Sequence, residues 1–147
     1  MTDLSDIVST FELLGDWETR YGYLVELGEQ LPALPEHART EENRVKACMS
    51  RVWVYAWEDP QAPGHIRFSG DCETGTIKGV LALLIQLADG KTVAEIEAID
   101  MDVFFRRLRL AEHLSPTRHV GVYAIVDIMK QQAAAAVAHP QQLRSTG

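Results

Sequence analysis

The residue best placed to do chemistry is Cys48. It lies in Glu42-Asn43-Arg44-Val45-Lys46-Ala47-Cys48-Met49-Ser50-Arg51-Val52-Trp53-Val54, where a polar, basic stretch runs straight into a β-branched and aromatic one. Arg44, Lys46 and Arg51 surround the thiol in sequence. Cationic, partly exposed surroundings favour loss of the thiol proton, and the thiolate is the nucleophile. Successive strand residues point to opposite faces, so the three cations cannot all serve one sulfur. The alternative is a buried, inert cysteine, a common state for a cysteine outside a disulfide.

The second cysteine, Cys72, sits between Asp71 and Glu73. If Val52–Tyr55 pairs with Phe68–Asp71 around the Pro60–Pro63 turn, Cys72 lies near Arg51 and within several residues' reach of Cys48. It could then act as a resolving thiol, or simply fill a turn. The flanking carboxylates read as turn and cap residues, or as contacts for a basic partner. Further on, Ser115-Pro116-Thr117-Arg118-His119 opens a helix. Arg118 and the helix start form a local anion site, or Arg118 braces the Cys48 loop. Cys48 with His119 does not amount to a cysteine hydrolase, which needs a base bonded to the thiol and a third, orienting group.

The elements that must hold these residues follow from periodicity. Leu4, Ile7, Val8, Phe11 and Leu14 recur at helical spacing up to Gly15. Asp16 can cap a second helix carrying Trp17, Tyr21, Leu24 and Leu27, ending at Gly28. Leu31-Pro32-Ala33-Leu34-Pro35 is a crossing loop. Residues 51–57 and 65–70 read as two strands of an antiparallel hairpin, with Gly70-Asp71 turning the chain. Residues 76–89 are apolar nearly all round, which predicts a central buried helix, or a third strand at its start that then becomes helix. Thr92-Val93-Ala94-Glu95 is a capping box, and Asp100 caps a helix with Val103, Phe104 and Leu108 inward. The last helix presents Val122, Ile125, Val126 and Met129, and residues 131–147 read as a frayed or disordered tail after a single domain over 1–130. The fold class is α+β, a small antiparallel sheet packed against helices on one side.

Composition narrows the function. The chain has 147 residues and a formal charge of -7, which argues against a nucleic-acid surface. No apolar run suits a membrane span, and the acidic start lacks a secretory n-region, so a cytoplasmic protein is expected. Two cysteines are too few for a disulfide scaffold, and with no CxxC or HxxxH they suggest no metal site.

Three blocks, in order and spacing, resemble the SufE family and its close relative CsdE. Asn43 to Trp53 is similar to the family's Gly-Cys-Gln-Ser-x-Val-Trp signature, with Ala47 in place of the glycine and Met49 in place of the glutamine. Gly70-Asp71-Cys72 precedes Ile77-Lys78-Gly79-Val80-Leu81-Ala82, and Leu114-Ser115-Pro116-Thr117-Arg118 matches the Leu-Ser/Thr-Pro-x-Arg motif. The resemblance implies an α+β fold like that of IscU, with Cys48 on a loop. It implies a sulfur-transfer accessory protein rather than a self-sufficient enzyme. Cys48 would accept persulfide sulfur from a cysteine desulfurase of the SufS or CsdA type, stimulate it, and pass sulfur to a SufBCD-like scaffold for iron–sulfur cluster assembly. No cofactor is implied for this chain, since PLP belongs to the desulfurase; a homodimer is conceivable. The rival reading is an iron–sulfur scaffold or a regulator that only binds. A scaffold would call for three cysteines plus a carboxylate or histidine.

Overall fold

Alternation in Val52-Trp53-Val54-Tyr55-Ala56-Trp57 divides one strand's side chains between two faces, and the molecule is layered accordingly. The computed structural model describes residues 4–45, 51–73, 75–108 and 116–138. Its elements are α1 (Leu4–Leu13), α2 (Trp17–Glu29), a 3₁₀ turn (Glu36–Ala38), β1 (Val52–Glu58), β2 (His65–Cys72), α3 (Gly75–Ala88), β3 (Lys91–Thr92), α4 (Val93–Glu97), α5 (Met101–Leu108) and α6 (Pro116–Ala138). The strands form one antiparallel sheet in the order β1-β2-β3. Val52, Val54 and Ala56 enter the main core with α3 and α6. Tyr55, flanked by Trp53 and Trp57, turns to the other face, where Leu34 and Ala38 cover it. The proline-rich crossing segment is thus the second layer, and the α+β architecture expected from the pattern is present.

The apolar helix α3 is the centre of the core, with Ile77, Val80, Leu81, Leu84 and Ile85 all buried. It can lie this close to α2 because two glycines meet there. A Cβ on Gly79 would stand 2.0 Å from the Leu24 carbonyl oxygen, and one on Gly28 would stand 3.0 Å from the Gly79 amide nitrogen. Gly28 is therefore a contact residue inside α2, which runs on to Glu29, rather than its stop. Asp16 caps α2 by accepting from the Thr19 amide, and Thr92 and Glu95 form the reciprocal capping box of α4. Asp100 accepts from the Asp102 amide at the start of α5.

Four expectations change. Gly70-Asp71 does not turn the chain: β2 continues to Cys72, and Gly70 is needed because a Cβ there would stand 2.8 Å from the Trp53 carbonyl oxygen on β1. Lys91–Thr92 is a third strand, pairing with His65 and Ile66; two residues paired only through the tertiary fold leave no local signature. Val103 is 51% exposed while Leu108 is buried, because a residue five positions back lies well round the helix. Gln131–Ala138, expected to be tail, belongs to α6, with Ala133 and Ala136 fully buried, while residues 139–147 lie outside the described part. An alanine run looks featureless in sequence, yet small side chains are what a helix needs to press against its neighbours.

Replacing Gly79 with Ala should destabilise the protein by about 3 kcal/mol, because backbone must move to admit the methyl group. Urea unfolding of Gly79→Ala beside Gly75→Ala, whose added Cβ meets only Val25 methyls at 3.6 Å or more, measures this; equal midpoints would contradict the contact.

Candidate functional site

Lys46 and Cys48 lie outside the described residues; the structure describes the two limbs that carry them. The outer edge of β1 exposes backbone groups that need partners. The incoming limb meets them: the Val45 amide donates to the Val52 carbonyl (2.8 Å), the Val54 amide donates to the Asn43 carbonyl (2.9 Å), and Arg44 bridges to Trp53. Val45 is fully buried and anchors that limb. Val45 and Arg51, the described residues on either side of 46–50, are thus both held at the start of β1. The Gln132 side chain of α6 reaches the same edge, with Nε2 donating to the Val54 carbonyl (2.8 Å) and to Asn43 Oδ1 (3.4 Å). Asn43 Nδ2 in turn donates to the Ala38 carbonyl (2.9 Å).

On the inner side of β1, Val52 pairs with Cys72 and Trp53 with Asp71. This is one residue off the pairing expected from the turn, and it sets Cys72 directly beside β1. The Cys72 side chain is 5% exposed and belongs to the main core. The Glu73 amide donates to the Arg51 carbonyl (3.1 Å), and the Arg51 guanidinium pairs with the Glu73 carboxylate (3.7 Å) in an exposed position. Arg44 pairs with Glu41 (3.5 Å), while its Nε is buried with no hydrogen-bond partner among the described residues.

Asp71 organises this end of the sheet. Its carboxylate takes Arg39 at 2.5 Å, Lys78 at 3.3 Å and the Cys72 amide at 2.9 Å. The Arg39 guanidinium also lies 5.0 Å from the centre of the Trp53 ring, a cation–π contact. Burial by itself would raise the Asp71 carboxyl, but Arg39, the Cys72 amide and Lys78 outweigh it and hold the group below its ordinary 3.8. One carboxylate therefore ties the 3₁₀ turn, the sheet and α3 together next to Cys72.

The fold brings Arg44, Arg51, Asp71 and Cys72 to the same end of the sheet as the limbs of the Cys48 segment. Arg118 falls in the first turn of α6, with its side chain outside the described part. Arg39, Asn43, Lys78 and Gln132 belong to this region and were not legible as such. Asn43 and Lys78 stood in the family-like blocks; Arg39 and Gln132 carry no spacing signal, because their partners Asp71 and Val54 are remote in sequence. On the opposite face of the sheet an open cleft of about 590 Å³ is bordered by Pro32, Pro35, His37, Tyr55, Trp57 and Arg67. Among the described residues no three His, Cys, Asp or Glu side chains gather as a metal site would require. No described helix is long and apolar enough to cross a membrane.

Comparison with known proteins agrees with this geometry. Residues 5–133 match the SufE family, described as an Fe-S metabolism associated domain. An uncharacterized SufE-like protein of Rhizobium meliloti (strain 1021) is 37% identical over 135 residues, covering 90% of this chain and 96% of that protein. Another from Rhizobium etli is also 37% identical over 135 residues, covering 90% of each. The solution structure of a hypothetical protein from Thermus thermophilus superposes with a TM-score of 0.73 at 23% identity, covering 92% of this chain and 96% of that one. At that identity the likeness concerns the fold.

Asp71→Asn should cost about 1–2 kcal/mol at neutral pH, because Arg39 and Lys78 lose their shared counter-charge. A carboxyl held below its ordinary value stabilises the fold above that value and loses its effect as pH falls through the folded one. The gap between wild type and variant should therefore be full at pH 7 and close below about pH 4. Chemical denaturation from pH 7 down to pH 3 checks this; a gap independent of pH would contradict it.

Proposed function

The chain belongs to the SufE family, and from that premise we propose that it is a sulfur acceptor whose working atom is Cys48 Sγ. The observation that carries this reading is the tethering of both limbs of the Cys48 segment at one end of the sheet, through Val45–Val52 on one side and Arg51–Glu73 on the other. That arrangement gives the residues on both sides of the proposed nucleophile a rigid base. In the proposed step the Cys48 thiolate attacks the terminal sulfur of a cysteine persulfide on a PLP-dependent desulfurase. A new S–S bond forms on Cys48, the partner's S–S bond breaks, and the partner cysteine leaves as a thiolate. Electrons balance without an external oxidant or reductant, and the process runs twice when Cys48 hands the sulfur on to a cluster scaffold.

The protein's own contribution is placement and charge. Arg51 is exposed at the carboxyl side of the segment and shares its charge with Glu73. Lys46 and Arg118 supply further positive charge for the anionic persulfide in this reading. Asp71 and its two cations keep the sheet end stiff while the partner docks. The protein works as an accessory to the desulfurase in the cytoplasm and carries no cofactor of its own.

Incubation with a SufS-type desulfurase and free cysteine, followed by intact-mass and peptide measurement, should show a gain of one sulfur atom on Cys48. Cys48→Ser should lose both the adduct and the stimulation of desulfurase turnover, and Cys72→Ser should keep both. An undiminished stimulation by Cys48→Ser, or an adduct confined to Cys72, would refute the assignment.

A further inference from the structure

We propose that the cleft bordered by Tyr55 and Trp57, on the face of the sheet away from the main core, takes an arginine side chain presented by a partner protein. The proposal uses neither Cys48 nor its segment, and it holds whether or not this chain accepts sulfur. The chain makes the same interaction twice on its own. Arg20 lies 5.1 Å from the centre of the Trp17 ring, and Arg39 lies 5.0 Å from that of Trp53. A guanidinium over an indole face is attracted by the ring's quadrupole. Trp53 and Trp57 share one face of β1, because strand side chains alternate. Among the described residues, however, no arginine or lysine lies over the Trp57 ring.

Charge around the two rings explains the difference. The cross-strand neighbour of Trp53 is Asp71, whose carboxylate pairs with Arg39 at 2.5 Å, so that unit is complete within the chain. The cross-strand neighbour of Trp57 is Arg67, but its guanidinium goes to two carboxylates, Asp89 at 3.0 Å and Asp59 at 3.8 Å. Glu58 brings a third carboxylate to the cleft. The surroundings of Trp57 are therefore net acidic, on a chain of formal charge -7, and they complement a cation. The indole is held in place for one: Tyr55 stacks on it with ring centres 5.4 Å apart, and His37 meets Tyr55 edge-on at 5.8 Å. Shape favours a side chain over a free small cation. The cleft of about 590 Å³ is open, with Pro32 and Pro35 at its border, whereas small-molecule sites enclose most of their ligand. Arginine is favoured over lysine because its planar group stacks on an aromatic face.

Magnetic resonance titration of the full chain tests this with the peptide acetyl-Ala-Ala-Arg-Ala-Ala-amide. Its counterparts carry lysine, norleucine or glutamate in the central place, and choline stands for a free small cation. The arginine peptide should shift the Trp57 indole N–H and the Ser69 amide while leaving the Trp17 and Trp53 indoles unmoved. The norleucine peptide and choline should bind at least about three-fold more weakly, with the lysine peptide in between. Trp57→Leu and Glu58→Gln should each weaken the arginine peptide about three- to ten-fold, read at the Ser69 amide. Glutamine keeps an acceptor for the Gly64 amide, which Glu58 binds at 2.7 Å, so the hairpin turn is retained. If Trp57→Leu does not fold, Glu58→Gln and the ligand series decide. Equal binding of the norleucine peptide would overturn the proposal by showing only an apolar groove. Choline binding as tightly as the arginine peptide would overturn it in favour of a small-cation site, and tighter glutamate binding in favour of an anion site at Arg67. An unmoved Trp57 indole would overturn it outright.

Discussion

An edge strand must find partners for the backbone groups on its open side, and much of this molecule follows from how β1 does so. It does not use another strand of the sheet. It borrows a three-residue limb, Asn43–Val45, and one side chain from α6. That choice holds Val45 against Val52, the residue whose partner on the neighbouring strand is Cys72. It also makes the last helix part of the site, although α6 begins far from β1 in sequence. A full strand in the same place would have buried the edge better and left no short segment to carry a thiol.

The core supplies the rigidity behind this edge. The contact of α2 with α3 is close because Gly28 and Gly79 face each other, and α3 lies against the sheet through Leu81 and Ile85, which also approach Gly70. Backbone-to-backbone proximity of this kind tolerates little rearrangement, since no side chain is available to adjust. The polar end of the sheet is braced differently, by Asp71 between Arg39 and Lys78. Packing at Gly70 and Gly79 and charge at Asp71 and Lys78 thus act at adjacent positions of the α3–sheet unit.

Elements defined by local periodicity were legible in the sequence. The hairpin, the central apolar helix, the Asp16 cap and the Thr92–Glu95 box all depend on residues a few positions apart. What was not legible depends on remote pairs. Lys91–Thr92 is a strand only because β2 lies beside it. Gln131 to Ala138 looked like a tail because alanine and glutamine carry no amphipathic signal, yet Ala133 and Ala136 pack in the core and Gln132 meets β1. Gly70 resembled a turn residue because a glycine in a tight turn and a glycine under a carbonyl look alike in sequence. Of the candidate site, the approach of Cys72 to β1 was legible; the supporting roles of Arg39 and Gln132 were not.

Trp53 occupies a telling place in this arrangement. Its indole faces the Arg39 guanidinium, its backbone bridges to Arg44, and its cross-strand neighbour is Asp71. Trp17 sits among Phe11, Tyr21 and Arg20 in the N-terminal helical pair, and Trp57 stacks on Tyr55 at the cleft. The three indoles thus occupy three different electrostatic settings, and the one at position 53 is a built-in optical reporter: its emission responds to any event that shifts charge or water around Arg39 and Asp71.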